Sequence, residues 1–451
     1  MNIVIIGMGK LGKMVADNLS KEEHNITVID NNSHNVEDVI NQLDVKGVVG
    51  NGASYDVQMN AEVSKADLLI AVTSNDEVNI VCCLLAKKLG VKQTIARVRN
   101  PEYNKQMSLM ANELGISMSV NPELDAANEI SRILRFPSAI KVETFANGSC
   151  DLVEIKVDSG SPLIHKTLLS IRNKYQMNFL ICAVKRQGQV LIPRGDFVLE
   201  PGDNIYITAS SEVLTKLFKT LGIYKGQAKT CMIIGGGKIS YYLAKQLSSL
   251  GTSVTIIEKD QKECQELSET LPKVSVIKGD GSDQSILIEE GINTCDALVT
   301  ITGMDETNII ISTFAKNTNV PKVITKVNST SYGTILNSLG LDSVISPKEI
   351  TSNNIIRYVR GMKGKHGIEF KTLYRLVENQ VAAFEFFLPE DTTFTSIPLN
   401  DLNMNPSSLI ACIIRNGQVI IPNGRDTLEA LDTIILVTTD AYINDLSEVL
   451  E

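Results

Sequence analysis

Four apolar residues, Ile3-Val4-Ile5-Ile6, run directly into Gly7-Met8-Gly9-Lys10-Leu11-Gly12. The spacing Gly-x-Gly-x-x-Gly, set between a strand and a helix, suits a loop that cradles the phosphates of a dinucleotide. The first glycine permits a tight turn, the second lets backbone approach the pyrophosphate, and the third lets the helix pack closely on the strand. Amides at the helix N-terminus then face the phosphates, where the helix dipole favours negative charge. An acid, Asp30, ends the next apolar run 23 positions after Gly7. An acid there accepts hydrogen bonds from ribose hydroxyls and disfavours a 2′-phosphate, and Asn31-Asn32-Ser33 offer no cation for one. This is binding chemistry; whether the nucleotide reacts or is read as a signal depends on what else surrounds it.

The same pattern occurs a second time. "IIGMGKLG" at 5–12 returns as "IIGGGKIS" at 233–240, which supplies Gly235, Gly236, Gly237, Lys238 and Ile239. Glu258 follows Gly235 by 23 positions, as Asp30 follows Gly7. Ser240 replaces the third glycine and Lys259 stands beside the acid, so the second pocket is either a working site or a retained fold. Further polar residues fall at the carboxyl ends of expected strands, where open α/β sheets bind ligands. Asn51 and Asp280 are placed to meet adenine or its ribose, Thr73-Ser74 and Thr302-Gly303 follow the fourth strand of each copy, and Arg97 and Lys326 end the fifth. An Arg there can clamp a phosphate bidentately. Asp76 and Asp305 read as helix N-terminal residues with a structural role.

The duplication extends well beyond the glycines. "VVGNGAS" at 48–54 matches "VIKGDGS" at 276–282, "ADLLIAVTSNDEVNI" at 66–80 matches "CDALVTITGMDETNI" at 295–309, and "VKRQGQVLIPRGD" at 184–196 matches "IIRNGQVIIPNGR" at 413–425. Within the first copy, strands are expected at 2–6, 26–30, 46–49, 67–72 and 93–97, with helices at 10–20, 33–43, 54–62 and 76–89 between them. Continuously apolar strands separated by helices predict a parallel sheet covered on both faces. Pro122 stands just inside a further helix start. From about 140 to 222 the rhythm changes to the strands "DLVEIKV", "FLICAVKR", "GQVLIP" and "DNIYITAS", with "HKTLLSIRNKY" as an intervening helix, and 375–451 repeats this small α+β lobe. The expected divisions are 1–137, 138–225, 226–365 and 366–451. The fold class is therefore α/β, as two tandem modules, each a Rossmann-like parallel-sheet lobe followed by a small α+β lobe.

Composition narrows the function. Of 451 residues 43% are hydrophobic and 21% charged, as in a globular protein, and no apolar run reaches membrane-spanning length. A net charge of −9 without a Lys/Arg cluster argues against nucleic acid. Eight cysteines without a CxxC, and four histidines (His24, His34, His165, His366) away from metal-ligand spacing, predict neither a disulfide scaffold nor a metal site. The chain enters a strand within three residues of its start, so a cytoplasmic protein is expected. A dehydrogenase needs an acid or base beside the hydride acceptor. No carboxylate pair or nucleophile motif supplies one, so no catalytic residue is expected.

The motifs "GMGKLG", "GNGAS", "AVTSNDEVN", "IARV" and "NPELDAANEI", with Asp30 and the small-lobe signature "IPRGDFVLEPGDNIYI", resemble the RCK (KTN) regulatory family of potassium channels and transporters, here in tandem over essentially the whole chain. The resemblance implies a cytoplasmic, peripheral subunit in a homo-oligomeric ring, typically of four chains, beneath a Trk-type potassium-translocating membrane subunit. It implies NAD(H) or ATP/ADP as regulatory ligands whose binding changes the ring's shape. By motif, Gly7 through Leu11 form the phosphate loop, Asp30 takes the ribose, Thr73-Ser74 the fourth-strand contact and Arg97 a phosphate. Gly235 through Ile239, Glu258 and Lys326 hold the corresponding places in the second copy. Two other classes stay open at this point: an NAD-dependent oxidoreductase, and a scaffold or regulator that senses a cyclic dinucleotide at the small lobes.

Overall fold

The long apolar runs become the central strands of two parallel sheets. In a computed structural model the described residues are 1–451 except 23, 112, 137–138, 146–149, 224–227, 330–331, 363–369, 377–379, 391, 393, 441–442, 444–445 and 450–451. The divisions expected at 137/138, 225/226 and 365/366, and His366, lie outside the described residues.

In the first large lobe β1 (Asn2–Ile6), β2 (Asn25–Asp30), β3 (Lys46–Val49), β4 (Leu68–Ala71), β5 (Gln93–Arg97) and β6 (Met118–Val120) alternate with α1 (Lys10–Ser20), α2 (Ser33–Ile40), α3 (Tyr55–Asn60), α4 (Asp76–Lys88) and α5 (Pro101–Met110), and α6 (Pro122–Arg135) follows. The strands pair in parallel in the order β3-β2-β1-β4-β5-β6. Chain direction around the sheet reverses between β1 and β4, the crevice where open α/β sheets bind ligands. The expected strands and helices fall within a few residues of these; α5 and β6 were not foreseen in the pattern.

A small lobe follows, with β7 (Lys141–Phe145), β8 (Cys150–Lys156), α7 (Leu168–Tyr175), β9 (Leu180–Arg186), β10 (Gln189–Leu191), β11 (Asn204–Ala209) and α8 (Ser211–Thr220). Its antiparallel sheet has the order β10-β9-β11-β8-β7. The second copy repeats the large lobe as β12 (Thr230–Ile234), α9 (Lys238–Ser249), β13 (Ser253–Glu258), α10 (Gln261–Thr270), β14 (Ser275–Lys278), α11 (Gln284–Glu289), β15 (Ala297–Thr300), α12 (Asp305–Asn317), β16 (Lys322–Lys326), α13 (Gly333–Ser338), β17 (Val344–Ile345) and α14 (Pro347–Gly361). Its sheet order, β14-β13-β12-β15-β16-β17, matches the first. The last lobe keeps the sheet, as β18 (Phe370–Leu376), β19 (Val381–Phe387), β20 (Ser408–Arg415), β21 (Gln418–Ile420) and β22 (Thr433–Thr438). It does not keep the intervening helix. The stretch "SIPLNDLN" that replaces α7 forms turns around Pro398, because proline lacks the N–H a helix interior needs and asparagine favours turns.

The two copies are interlocked. Ala126, Ala127, Ile130, Ile133 and Leu134 of α6 leave their own sheet and join Leu243, Ala244 and Leu247 of α9 in the second lobe's core. In exchange, Ile355, Ile356 and Val359 of α14 pack on Val15, Ala16 and Leu19 of α1. Burying each of the Leu, Ile and Val side chains stabilises by roughly 1.5–3 kcal/mol, so neither helix covers its apolar face without the other module. Polar contacts fix the crossing: Gln246 Nε2 donates to Asn128 Oδ1 at 2.7 Å, and Arg360 Nε donates to Glu22 at 3.0 Å. The small sheets also meet face to face, with Leu152, Ala183 and Tyr206 against Ala383, Ile435 and Val437. No described helix is long and apolar enough to cross a membrane.

Where α6 meets α14, the Asp125 carboxylate accepts from Thr351 Oγ1 at 3.0 Å and Asn354 Nδ2 at 3.2 Å. Burial nevertheless raises its pKa, the two hydrogen bonds only partly opposing this. A carboxyl raised in the folded state weakens folding above its folded pKa, and that penalty fades as pH falls through the folded value. Asp125→Asn is therefore expected to melt at or above the wild-type temperature at pH 7. The advantage should vanish below about pH 4, the ordinary carboxyl range; a lower melting temperature at neutral pH would contradict it.

Candidate nucleotide-binding site

The glycine loop is shaped by contacts that exclude side chains. Gly7 has φ +97°, and a Cβ there would stand 2.8 Å from the Thr73 amide nitrogen. A Cβ on Gly12 would lie 1.9 Å from the Gly7 carbonyl oxygen, which is the close strand–helix approach expected of a third glycine. Gly9, the residue before α1, has extended backbone and open space where its Cβ would be, so the helix N-terminus faces an unfilled cradle with no side-chain cap. Its first-turn amides have no partner within the helix.

Asp30 braces this loop. Its Oδ2 accepts from the Met8 amide at 2.6 Å, and its Oδ1 from the Asn32 amide at 2.8 Å. The cleft beside it has a volume of about 490 Å³ and is lined by Gly9, Lys10, Asp30, Asn51, Ser74 and Arg97 among others. Gly7, Leu11 and Thr73 also line it, whereas Met8 packs its side chain into the core and Gly12 is buried against Gly7. Asn51 serves its own turn as well, accepting from the Ala53 amide at 3.0 Å.

Arg97 ends β5 with its guanidinium largely desolvated, and burial pushes its pKa down. Its Nη2 lies 3.8 Å from Glu123 Oε1, while its Nε and Glu123 Oε2 are buried without a partner. An orphaned cationic donor in the cleft wall, an uncapped helix end and an open glycine cradle together fit a phosphate. Arg97, Lys10 and Leu11 also line a second cavity, of about 270 Å³, whose far wall comes from the other module through Ile239, Lys326 and Lys348.

The second loop is built alike. Gly235 has φ +105°, the Gly236 amide donates to Glu258 Oε2 at 2.5 Å, and Gly237 has open space around its missing Cβ. Lys238 and Ile239 begin α9 as Lys10 and Leu11 begin α1. Ser240 is tolerated because its hydroxyl donates to the Gly235 carbonyl it crowds. Two members are differently engaged. Lys326 Nζ donates to the Thr302 carbonyl at 2.7 Å, with its pKa lowered by burial, and Asp280 accepts from the amide and hydroxyl of Ser282, which lower its pKa.

Asn79 is a structural member that pattern reading passed over. Fully buried, it accepts from the Thr73 amide at 2.9 Å and hydroxyl at 2.7 Å, and donates to the Arg97 carbonyl at 2.9 Å, tying the ends of β4 and β5 together. Asn308 does the same for Thr302 and Lys326. The only sequence signal was its recurrence in "NDEVN" and "MDETN". Asp76 and Asp305 do stand in first helical turns, but their carboxylates reach to the loops after β5 and β16, where Asp76 accepts from the Arg99 and Asn100 amides at 2.8 Å.

Comparison with known proteins accounts for both halves. The TrkA-N domain model matches residues 3–122 and again 231–347, and the TrkA-C domain model matches residues 152–222. The chain belongs to the TrkA family. A Trk system potassium uptake protein TrkA homolog of Archaeoglobus fulgidus is 32% identical over 449 residues, covering 100% of both chains. The Trk system potassium uptake protein TrkA of Vibrio alginolyticus is 29% identical over 99% of this chain and 98% of its own. Among solved structures, the GsuK channel superposes with a TM-score of 0.65 at 19% identity, covering 97% of this chain and 77% of that one. A GsuK channel bound to NAD superposes at 0.64 with the same identity and coverage. Tandem modules of a parallel-sheet lobe and a small antiparallel lobe are thus the family's architecture in this chain.

Proposed function

We propose that this chain is the nucleotide-sensing regulatory subunit of a Trk-type potassium uptake transporter. An adenine nucleotide, NAD(H), ATP or ADP, occupies the cleft, with its phosphates on the amides of Gly9, Lys10 and Leu11 and beside Arg97, and its ribose on Asp30. The observation that carries this is the open cradle at Gly9, set over an uncapped helix end and braced by Asp30, in a chain of the TrkA family. Family relatives carry the name Trk system potassium uptake protein, and GsuK has been solved bound to NAD and bound to ADP, which supports both the system and the ligand class. The reading is regulatory rather than enzymatic: Asp30, the one carboxylate lining the cleft, is already engaged by backbone amides.

Regulation requires a ligand to bind two arrangements of the protein unequally. The residues that meet the phosphates also line the cavity between modules, so charge placed in the cleft is felt by Lys326 and Lys348 across the boundary. In a homo-oligomeric ring of four such chains on the cytoplasmic face of the membrane subunit, that coupling would alter the ring's geometry and hence transport.

A thermal-shift and calorimetry panel of NAD, NADH, ATP, ADP and cyclic dinucleotides tests the reading. A ligand at 100 times its Kd stabilises the folded state by about 2.7 kcal/mol, so at least one adenine nucleotide is expected to raise the melting temperature by several degrees. No response to any of them, a response to a cyclic dinucleotide alone, or turnover of NADH with a substrate would each overturn it.

A further inference from the structure

One buried glutamine holds the turn at the far end of the first cleft. With phosphates at Gly9 and ribose on Asp30, a base must lie on the side of Asp30 away from the glycine loop. The sheet order places β3 there, beside β2, and the chain leaves β3 through Gly50, Asn51 and Gly52, which all line the cleft. The Gly50 amide donates to the Asp30 carbonyl at 2.8 Å. Gly52 presses on the end of β1, where a Cβ would stand 2.3 Å from Ile6 Cγ2. The Gly52 carbonyl accepts from Gln58 Nε2 of α3 at 2.7 Å, and the same nitrogen donates to the Cys82 carbonyl of α4 at 3.1 Å. Gln58 thus ties the turn to two helices.

Stability does not account for this glutamine. Its side chain is fully buried, and its Oε1 has no hydrogen-bond partner among the described residues. A buried amide with half its hydrogen bonding unmet weakens the fold. The second module meets the same packing need with apolar residues. Leu287 of α11 stands at the position of Gln58, and Ile311 of α12 at that of Cys82, both buried in one cluster. The second turn is held from its helix end, where Asp283 caps α11 by accepting from the Ser285 amide at 2.9 Å. Ser54, at the matching place before α3, makes no such bond. The first module therefore carries a clamp on a cleft residue where the second carries an apolar pair and a helix cap.

We propose that Gln58 is a positioning residue for the base-binding end of the first cleft, and that it sets the first module's affinity for the nucleoside part of its ligand. This rests on the nucleotide reading above. Gln58 does not line the cleft; it acts through the Gly52 carbonyl, holding the backbone of Gly50, Asn51 and Gly52 in one arrangement before a ligand arrives. A turn ordered in advance spares the complex that ordering cost. Phosphates held at Gly9 and Arg97 do not depend on it.

The test uses the full-length chain with its second pocket blocked by Gly237→Val. ADP is the probe, being the part that ADP, ATP and NAD share, and inorganic pyrophosphate is the control without a base. Gln58→Leu is expected to weaken ADP binding about tenfold, the worth of one net hydrogen bond, while pyrophosphate binding and the melting temperature hold. Gln58→Leu/Cys82→Ile, which copies the apolar pair of the second module, should show the same split. Hydrogen exchange should quicken most at the amides of Gly52, Ala53 and Ser54 in both variants. An unchanged ADP affinity, an equal loss for pyrophosphate, or a loss that tracks a lowered melting temperature in both variants would overturn the proposal. A parent chain that binds none of ADP, ATP and NAD would overturn the nucleotide reading as well, so the two failures are told apart.

Discussion

Gly9→Val is expected to abolish nucleotide binding by the first module while leaving the fold standing. The backbone at Gly9 is extended, with φ −71° and ψ −173°, which valine adopts freely, and its Cβ would enter open space. That space is where the phosphates would lie. The folding cost is that of a poorer helix-capping residue, about 1 kcal/mol, whereas the loss in affinity should exceed 100-fold, or about 2.7 kcal/mol. Gly237→Val makes the same cut in the second module, since its Cβ also meets nothing within 4 Å. Calorimetric titration of the two variants then assigns each binding event to a module. Wild-type binding in both would remove the proposed site. Gly12 is the wrong place for this experiment, because a Cβ 1.9 Å from the Gly7 oxygen forces the loop itself to move.

Arg186→Met should strongly destabilise the first small lobe. Arg186 Nε and Nη2 each donate to a different oxygen of Asp203 at 2.8 Å, Nη2 also donates to the Val198 carbonyl at 2.8 Å, and the guanidinium stacks over the Phe197 ring. Asp203 is only 1% exposed, so removing the arginine strands a buried carboxylate. Such losses run to 3–5 kcal/mol, and about 3 kcal/mol is expected because the Arg186 side chain is itself 27% exposed. The deficit should depend on pH. Burial pushes the Asp203 carboxyl up, but the Arg186 hydrogen bonds and the Glu200 amide outweigh it and hold the pKa below the ordinary value. A depressed carboxyl contributes stability above its unfolded pKa and loses it as pH falls through the folded one. Urea melts of wild type and variant should therefore converge below about pH 4; a deficit that persists unchanged in acid would sink this account. The clasp recurs as Arg415 on Asp432, with Nη2 donating to the Thr427 carbonyl at 2.8 Å, so each small lobe closes the turn before its last strand in the same way.

Much of this was legible before any coordinates. The glycine loop, the acid after the second strand and the alternation of strands and helices are local patterns, and the duplication let each copy check the other. Asn79 was not legible as a tie between β4 and β5, because its partners, Thr73 and Arg97, become neighbours only when those strands pair. Asp76 was legible as a first-turn residue but not as the acceptor for the loop after β5, for the same reason. The loss of the α7 counterpart could have been read from Pro398, since the match between copies there is one of position and not of helix-forming residues.

The sequence by itself determined the elements, the two-fold repetition and the phosphate-facing loop, because periodicity, glycine placement and strand-end acids act over a turn or a strand. Tertiary structure alone decided that α6 and α14 trade lobes, that Arg97 and Lys326 share a cavity, and that the two small sheets share one apolar core. Those contacts join segments more than a hundred residues apart. They depend on which apolar face covers which, and hydrophobic burial is non-directional, so the choice is made only when the whole chain packs.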